Sequence, residues 1–384
     1  MQEVVIAGIG QTSVGEHWDS SIRELAFYAL EAALNDTGGL RPQALYVANM
    51  LAPALSRQSH LATLVADFAG LQGIEAHTVE AAGASGGVAL RSGYLAVASG
   101  AVDAALVLGV EKMTDQTVSI VNAAVATGSD GDYEAEQGLT ITAQAALLMQ
   151  RYLHQYEVPE FAFGGFPMVA HANGATNKNA MFQRAIKPET YQKAGTVSAP
   201  LNMFDVAPNA DGAAAVLLTR PELLPAEYGH TLVKITGSSV VTDTLALHDR
   251  PDPLILNAAR LSVERACEQA GLKISEINLF ELFDAFSIYA ALSLEAAGFS
   301  EAGKGWEWGK NGALSLTGKL PIATFGGLKA RGNPGGATGI YQAVEAAIQL
   351  RGQAGENQVP DAKNAMIQSM GGPASTVATH ILTV

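Results

Sequence analysis

The chain has 384 residues, of which 48% are hydrophobic and 16% charged, and its net charge is −14. This negative charge argues against nucleic acid or an anionic membrane as a partner, since both attract basic proteins. The single cysteine, Cys267, cannot form a disulfide within the chain. The sequence has neither the pattern of a signal peptide nor a membrane-spanning apolar run, so we expect a cytoplasmic protein.

Short apolar strands alternate with amphipathic helices over the first 110 residues. The strands lack polar alternation, which is typical of a parallel sheet that helices cover on both faces. The length and apolar content suffice for one large domain or two of ordinary size. The predicted strands are 4–8, 44–51, 77–81 and 103–110, and the predicted helices begin at Ser21, Gln58 and Ser85.

The periodic pattern stops between residues 112 and 201 and returns afterwards. Polar, glycine and aromatic residues mix in this stretch, which predicts an insertion or lid with one helix near 140–156. The later pattern repeats the earlier one and indicates an internal duplication, with an N-terminal half over 1–240 and a C-terminal half over 241–384. The later predicted elements are strands 213–219, 230–242, 277–282, 364–369 and 376–384, and helices 254–270, 287–297 and 337–350.

A run of small residues, Ala81-Ala82-Gly83-Ala84-Ser85-Gly86-Gly87, connects the third strand to a helix. Small residues let the backbone turn sharply and let another group approach it closely. The start of a helix presents unpaired N–H groups and the positive end of the helix dipole. This turn therefore predicts a binding site for an anion or a position for a thiolate.

Four stretches together resemble the thiolase superfamily, especially its sterol-carrier-protein-type and archaeal branches. They are the turn over 79–90, Asp-Gly-Ala-Ala-Ala at 211–215, Glu-Leu-Phe-Asp-Ala-Phe at 281–286 and the glycine-rich loop at 326–339, which is similar to the family's GHPxGATG loop. The resemblance implies an α/β thiolase fold with five α-β-α-β-α layers, built from two duplicated halves with a loop-domain insertion in the first. It also implies acyl-CoA substrates, with coenzyme A as part of the substrate and no separate cofactor.

The residues that carry the family's chemistry are nevertheless changed. Gly83 stands where the resemblance places the nucleophilic cysteine, and a glycine cannot be acylated. Asn333 replaces the histidine of the glycine-rich loop, and an amide takes no proton near neutral pH. Phe283 replaces a histidine or asparagine, Ala285 a cysteine found in some branches, and Ser369 the cysteine of the family's C-x-G motif.

The remaining candidates for catalysis lie at or near these motif positions. Cysteine-less relatives that cleave steroid side chains by retro-aldol chemistry are similar to this chain and rely on tyrosines, although packing in the core is the alternative for each tyrosine. A helix cap is the alternative for the serine. The catalytic candidates are Asn333, Asp284, Tyr341, Tyr289 and Ser85.

Further residues are predicted to contact the substrate. His171 lies in a segment of the insertion that resembles the family's Ser-His-x-x-Ala segment, and a hydrogen-bonded structural histidine is the alternative. Gly336, Gly371 and Ser369 belong to the last two motifs. The eight histidines show no spacing typical of metal ligands, so no metal site is predicted.

These residues leave three functions open. The first is an enzyme that makes or breaks a C–C bond of a CoA thioester by an aldolase-like step, without a covalent intermediate. The second is an acetyl-CoA acetyltransferase in which another residue replaces the cysteine. The third is a non-catalytic acyl-CoA-binding subunit of a complex with a small zinc-ribbon/OB-fold protein. The resemblance also implies a homodimer in which the third strands of the two subunits pair.

Overall fold

A computed structural model describes residues 2–384. The strands are β1 (Val5–Gln11), β2 (Ala44–Ala48), β3 (Glu75–Val79), β4 (Ala104–Glu111), β5 (Thr196–Ser198), β6 (Leu201–Asn202), β7 (Gly212–Thr219), β8 (Val233–Thr242), β9 (Leu279–Glu281), β10 (Asn364–Gly371) and β11 (Thr376–Thr383). The α-helices are α1 (Ile22–Asn35), α2 (Leu61–Phe68), α3 (Ser85–Ala98), α4 (Val118–Ala126), α5 (Ile141–Gln155), α6 (Gly165–Gly174), α7 (Pro188–Gln192), α8 (Asn257–Ala270), α9 (Ser287–Ala296) and α10 (Thr338–Leu350).

Nine strands form one continuous sheet in the order β3-β2-β4-β7-β1-β8-β11-β10-β9. The prediction of a parallel sheet is correct only for the β2–β3, β2–β4 and β9–β10 pairs. The other pairs are antiparallel. The reason for the β4–β7 pair is the insertion: Glu111 ends β4 opposite Gly212, which begins β7, so the chain leaves and re-enters the sheet at the same end.

The helices divide this sheet into five layers. Helices α1 and α2 pack on the outer face of the first five strands, while α8 packs on β8 and β11 and, with α9, covers the outer face of the others. Helices α3 and α10 lie between the two parts of the sheet and contact strands of both. The order α-β-α-β-α that the resemblance implies is therefore confirmed.

Glycines bring the first turns of the two central helices together. A Cβ added to Gly86 in α3 would lie only 2.7 Å from the backbone nitrogen of Gly339 in α10, and Gly339 in turn packs on the backbone of Gly87. Only glycine permits such an approach of two backbones. As a result the turn before α3 and the glycine-rich loop before α10 end side by side.

The insertion is more helical than its sequence pattern predicts. The expected helix near 140–156 is α5, but α4, α6 and α7 also form within residues 112–201. The division of the chain at residue 240 stays a prediction, and that residue lies inside β8. None of the helices found in residues 2–384 combines the length and the apolarity needed to span a membrane.

A buried histidine in the last strand bonds to a helix of the central layer. His380 in β11 is 1% exposed, and its ring Nε2 pairs with the carbonyl oxygen of Gly87 at 2.9 Å. Burial lowers the pKa of His380 from 6.5 to about 4, and Arg91 lowers it further, while the bond to Gly87 raises it. Between pH 6.5 and 4 the unfolded chain therefore binds this proton more tightly than the folded protein does.

The free energy of unfolding should accordingly fall by roughly 3 kcal/mol through His380 as the pH drops from 6.5 to 4. His380→Gln, which keeps a donor for Gly87, should remove that part of the acid dependence in urea unfolding at pH 7 and pH 4.5. The same change at exposed His154 is the control. Identical pH dependence in wild type and His380→Gln would show that His380 does not destabilise the fold in acid.

Candidate active site

A cavity of about 250 Å³ opens where the small-residue turn, the glycine-rich loop and the insertion meet. Its wall includes Gly83 from the turn, Phe283 from the loop after β9, Tyr289 from α9 and Asn333 from the glycine-rich loop. The remaining wall is largely apolar, with further polar side chains at Asn122, Thr140, Thr142 and Asn209. Among the lining residues within 2–384, Tyr289 is the only one with an ionisable side chain.

The turn before α3 is held by its own polar groups. The Ser85 hydroxyl donates to the carbonyl oxygen of Ala82 at 2.6 Å and accepts from the Ala81 N–H at 2.8 Å. Ala82 has a φ of 49°, in the left-handed region that alanine rarely adopts. Ser85 is completely buried and does not line the cavity. The structure thus gives Ser85 a role in closing the turn, and it is not placed to attack a ligand.

The space for a side chain at Gly83 is already occupied. A Cβ built on Gly83 would lie 2.5 Å from the carbonyl oxygen of Met370 and 3.0 Å from Cζ of Phe283. Contacts this short force neighbouring atoms to move, and a carbonyl within β10 moves less easily than a side chain. The Phe283 ring therefore packs where a side chain at position 83 would begin.

Asn333 faces this turn across the cavity and is fixed by its backbone. Its N–H donates to the carbonyl oxygen of Pro208 at 3.0 Å, and its carbonyl oxygen accepts from the Ala210 N–H at 3.2 Å. The Thr338 hydroxyl donates to Oδ1 of Asn333 at 3.1 Å. Its Nδ2 has no hydrogen-bond partner in the described part of the chain, so this amide can donate to a ligand oxygen.

A buried carboxylate holds backbone segments on two sides of the cavity. The sequence motifs do not indicate it. Glu111, at the end of β4, accepts hydrogen bonds from Asn49 Nδ2 and from the backbone N–H groups of Met50, Leu51 and Gly336, at 2.8 to 3.1 Å. Burial raises the pKa of Glu111 to about 7, while these donors lower it. Because Met50 lines the cavity and Gly336 follows a lining residue, Glu111 fixes the backbone on both sides.

Tyr289 contributes to the wall from the first turn of α9. Its ring meets that of Phe286 edge to face, with centroids 5.4 Å apart. Its hydroxyl is buried and has no hydrogen-bond partner among residues 2–384. Burial raises the pKa of Tyr289 above its ordinary value, the nearby guanidinium of Arg250 lowers it, and Glu134 raises it. The phenol therefore stays protonated at neutral pH.

Tyr341 is not brought to the cavity. It is completely buried in α10, and its hydroxyl donates to the carbonyl oxygen of Thr12 at 3.2 Å and pairs with the Thr12 hydroxyl at 3.1 Å. The guanidinium of Arg331 lies over its ring, 5.1 Å from the centroid. These contacts tie α10 to the segment after β1. They match the alternative for Tyr341, which is packing in the core.

Asp284 belongs to a buried group of charges behind the cavity wall and does not line the cavity. Its Oδ1 accepts from the Leu328 N–H at 2.7 Å, and burial raises its pKa although Lys329 lowers it. Lys329 is 2% exposed, and burial lowers its pKa to about 8. The ion pair of Arg331 with Glu345 is buried as well. Sequence patterns do not reveal this group, because its members come from separate segments.

The four predicted substrate-binding residues also lie behind the wall. The His171 ring stacks on Phe182 and its Nδ1 pairs with the carbonyl oxygen of Arg184 at 3.3 Å, while burial lowers its pKa. These contacts match the structural alternative for this histidine. Ser369, Gly336 and Gly371 are buried, and the residues that reach the cavity are their neighbours Met370, Gly335 and Gly372.

Comparisons with known proteins place the whole chain in one family. The model "Thiolase, N-terminal domain" matches residues 4–191, and "Thiolase C-terminal domain-like" matches residues 239–384. An acetyl-CoA acetyltransferase of Methanothermobacter thermautotrophicus is 40% identical over 385 residues and covers all of both chains. The benzoylsuccinyl-CoA thiolase subunit BbsB of Thauera aromatica is 27% identical, over 97% of this chain and 95% of its own.

A solved structure supports the fold. A chain described as "Ltp2-ChsH2(DUF35) aldolase" superimposes with a TM-score of 0.83 at 24% identity, covering all of this chain and 98% of its own. At this identity the match speaks for the fold alone. With both family models matched and a full-length relative at 40% identity, the chain belongs to the thiolase family.

Proposed function

We propose that this chain binds an acyl-CoA thioester in the cavity and makes or breaks a C–C bond by aldol chemistry, without an acyl-enzyme intermediate. The observation that carries this proposal is the wall at Gly83. The chain has no side chain there to be acylated, and Phe283 packs against the vacant position. A thiolase that forms an acyl-enzyme needs a nucleophile at this position.

Aldol cleavage of a 3-hydroxyacyl thioester needs two functions and no nucleophile. One group must take the proton of the hydroxyl, and hydrogen-bond donors must stabilise the enolate that forms on the thioester carbonyl oxygen. The first N–H groups of α3 and the free Nδ2 of Asn333 suit the second function. Tyr289, as the ionisable side chain on the wall, suits the first in its phenolate form.

A non-catalytic acyl-CoA-binding subunit is the second candidate, and one observation favours it. The hydroxyl of Tyr289 is buried below the cavity surface, so no ionisable atom of the described lining residues is open to a ligand in this structure. Catalysis by Tyr289 therefore requires a side-chain movement. An acetyl-CoA acetyltransferase is the third candidate, and the name of the archaeal relative that is 40% identical over the full chain supports it. Acyl transfer through an acyl-enzyme needs a nucleophile, and none of the described lining residues carries a thiol.

We also infer two partners. The similar solved structure, described as an Ltp2-ChsH2(DUF35) aldolase, includes a DUF35 protein in its name, and we propose a small zinc-ribbon/OB-fold protein as a partner here. The homodimer proposal rests on β3, an edge strand whose Glu75, His77 and Thr78 are exposed. An unpaired edge with exposed backbone groups is ready to accept another strand.

Tyr289→Phe tests the catalytic proposal. The assay uses a panel of 3-hydroxyacyl-CoA substrates and measures the release of a carbonyl compound and a shorter acyl-CoA. The variant should have kcat/KM values at least about 100-fold below those of the wild type. The kcat/KM of the wild type should rise about tenfold per pH unit between pH 7 and 9. The reason is that the fraction of Tyr289 present as phenolate rises in that proportion at pH values below its raised pKa.

Tyr28→Phe, at a half-exposed position on α1, is the control and should keep full activity. Activity of Tyr289→Phe equal to wild type would exclude Tyr289 as the proton acceptor. No cleavage across the panel by the wild type, with bound acyl-CoA still detected, would instead favour the binding subunit.

Gly83→Cys tests the absence of acyl-enzyme chemistry. The new side chain meets the Met370 carbonyl and the Phe283 ring, so the variant should lose about 1 to 3 kcal/mol of stability. It should also show no thiolysis, because Asn333 and Phe283 supply no base for the thiol. Gly195→Cys adds the same group where no atom lies within 4 Å of the new Cβ, and its melting temperature should match the wild type. Thiolysis by Gly83→Cys alone would contradict this account of the site.

The edge-strand dimer is tested by sedimentation velocity. The wild type should sediment as a dimer, and His77→Glu should shift the equilibrium towards monomer, because it places like charges opposite each other and beside Glu75. Gln72→Glu, which adds the same charge outside β3, should remain dimeric. A dimer of undiminished affinity in His77→Glu would place the interface elsewhere.

A further inference from the structure

The wall of the cavity carries no formally charged side chain. None of its lining residues within 2–384 is an aspartate, glutamate, lysine, arginine or histidine, and Tyr289 stays protonated at neutral pH because burial raises its pKa. The other polar side chains on the wall belong to asparagines and threonines. A carboxylate that leaves water needs a cation or several donors in return, and this wall provides no cation. The cavity therefore disfavours an acyl group that ends in a carboxylate.

The apolar part of the wall runs from the protein surface into the buried part of the cavity. Val118 and Val197 line the cavity and are 73% and 53% exposed, so they form part of its rim. Phe286 and Met370 line it as well and are 6% and 1% exposed, so they lie deep. Apolar surface that continues from an exposed rim into a buried cavity favours a ligand with an apolar group of its own.

Two alanines keep the buried part of the cavity open. Ala207 and Ala285 line it from separate segments, and the Ala207 N–H donates to the carbonyl oxygen of Ala285 at 2.8 Å. A bridge between Val206 and Phe286 joins the same two segments. Backbone bonds thus fix both alanines, and a larger side chain at either position would take space from the ligand.

The volume of the cavity indicates the size of the group that fits. An apolar cavity of about 150 Å³ takes up a benzene molecule, which has six carbon atoms. The cavity here, at about 250 Å³, therefore has room for roughly ten carbon atoms. An acetyl group is far smaller and would leave most of the apolar wall without contact. The methionines on the wall, Met50, Met113 and Met370, have flexible side chains that adapt to a chain, a branch or a ring.

We propose that this cavity selects an acyl-CoA whose acyl group is uncharged and apolar and has about six to ten carbon atoms, and that Ala207 and Ala285 set the upper limit of its size. This inference rests on the proposed function, which places the thioester of an acyl-CoA in the cavity. It goes further by naming the class of acyl group. Linear, branched and cyclic hydrocarbon groups are accepted, whereas acetyl groups and carboxylate-bearing chains are disfavoured.

Titration calorimetry with saturated acyl-CoA esters tests this class, because esters without a 3-hydroxyl group bind without being cleaved. From acetyl-CoA to octanoyl-CoA, the Kd of the full chain should fall about threefold to fourfold per added methylene, which is the gain expected from burying that group. Beyond decanoyl-CoA the Kd should stay constant. Succinyl-CoA and 4-methylpentanoyl-CoA have acyl groups of the same shape, and the succinyl ester should bind at least about tenfold more weakly because of its carboxylate.

The size limit is tested at one of the two alanines. Ala207→Val should raise the Kd of octanoyl-CoA at least about fivefold more than that of butanoyl-CoA, since the longer chain needs the space that the new methyl groups fill. Ala185→Val, at an exposed position before α7, is the control and should match the wild type with both esters. If Ala207→Val does not fold, as judged by circular dichroism, the wild-type series decides alone.

The outcomes separate this inference from the proposed function. Equal Kd values across the series, or succinyl-CoA bound as tightly as 4-methylpentanoyl-CoA, would overturn the inference even if a 3-hydroxyacyl-CoA is cleaved. An unchanged Kd of octanoyl-CoA in a folded Ala207→Val variant would overturn the size limit. Selectivity for the longer uncharged esters supports the inference even if no substrate is cleaved, and a chain that binds no acyl-CoA would overturn both proposals.

Discussion

The close contact between the first turns of α3 and α10 is the constraint on which the site depends. Gly86 and Gly339 let the two backbones meet, and a side chain at either position would separate the helices. Because the turn and the loop that precede these helices end at this contact, Gly83 and Asn333 line the same cavity. The free amide of Asn333 favours a ligand oxygen that carries or develops negative charge.

The backbone around the cavity is held by hydrogen bonds, whereas the cavity wall carries few reactive side chains. Glu111 and Ser85 hold the backbone of the site through hydrogen bonds. Gly83 offers no side chain for a covalent bond, and the Phe283 ring packs beside it. The proposed enolate chemistry and the proposed binding role both fit such a wall, and the activity of Tyr289 variants decides between them.

The sequence predicts the fold well and the site only in part. Apolar strands, the helix start at Ser21 and the glycine-rich loop depend on local pattern, and the structure contains all three. The mixed strand directions and the burial of Tyr341 depend on contacts between distant segments, which local pattern does not show. Glu111 escapes sequence reasoning for the same reason, since no motif indicates that a carboxylate will be buried beside the cavity.

The crystal structure of this protein with a bound acyl-CoA tests the central claim most directly. The account predicts that the thioester carbonyl oxygen lies within hydrogen-bond distance of the α3 N-terminus or of Asn333 Nδ2, with the acyl group in the cavity beside Tyr289. It also predicts that no atom of the chain is bonded covalently to the acyl carbon. An acyl group attached to any side chain, or coenzyme A bound with its thioester outside this cavity, would contradict the account.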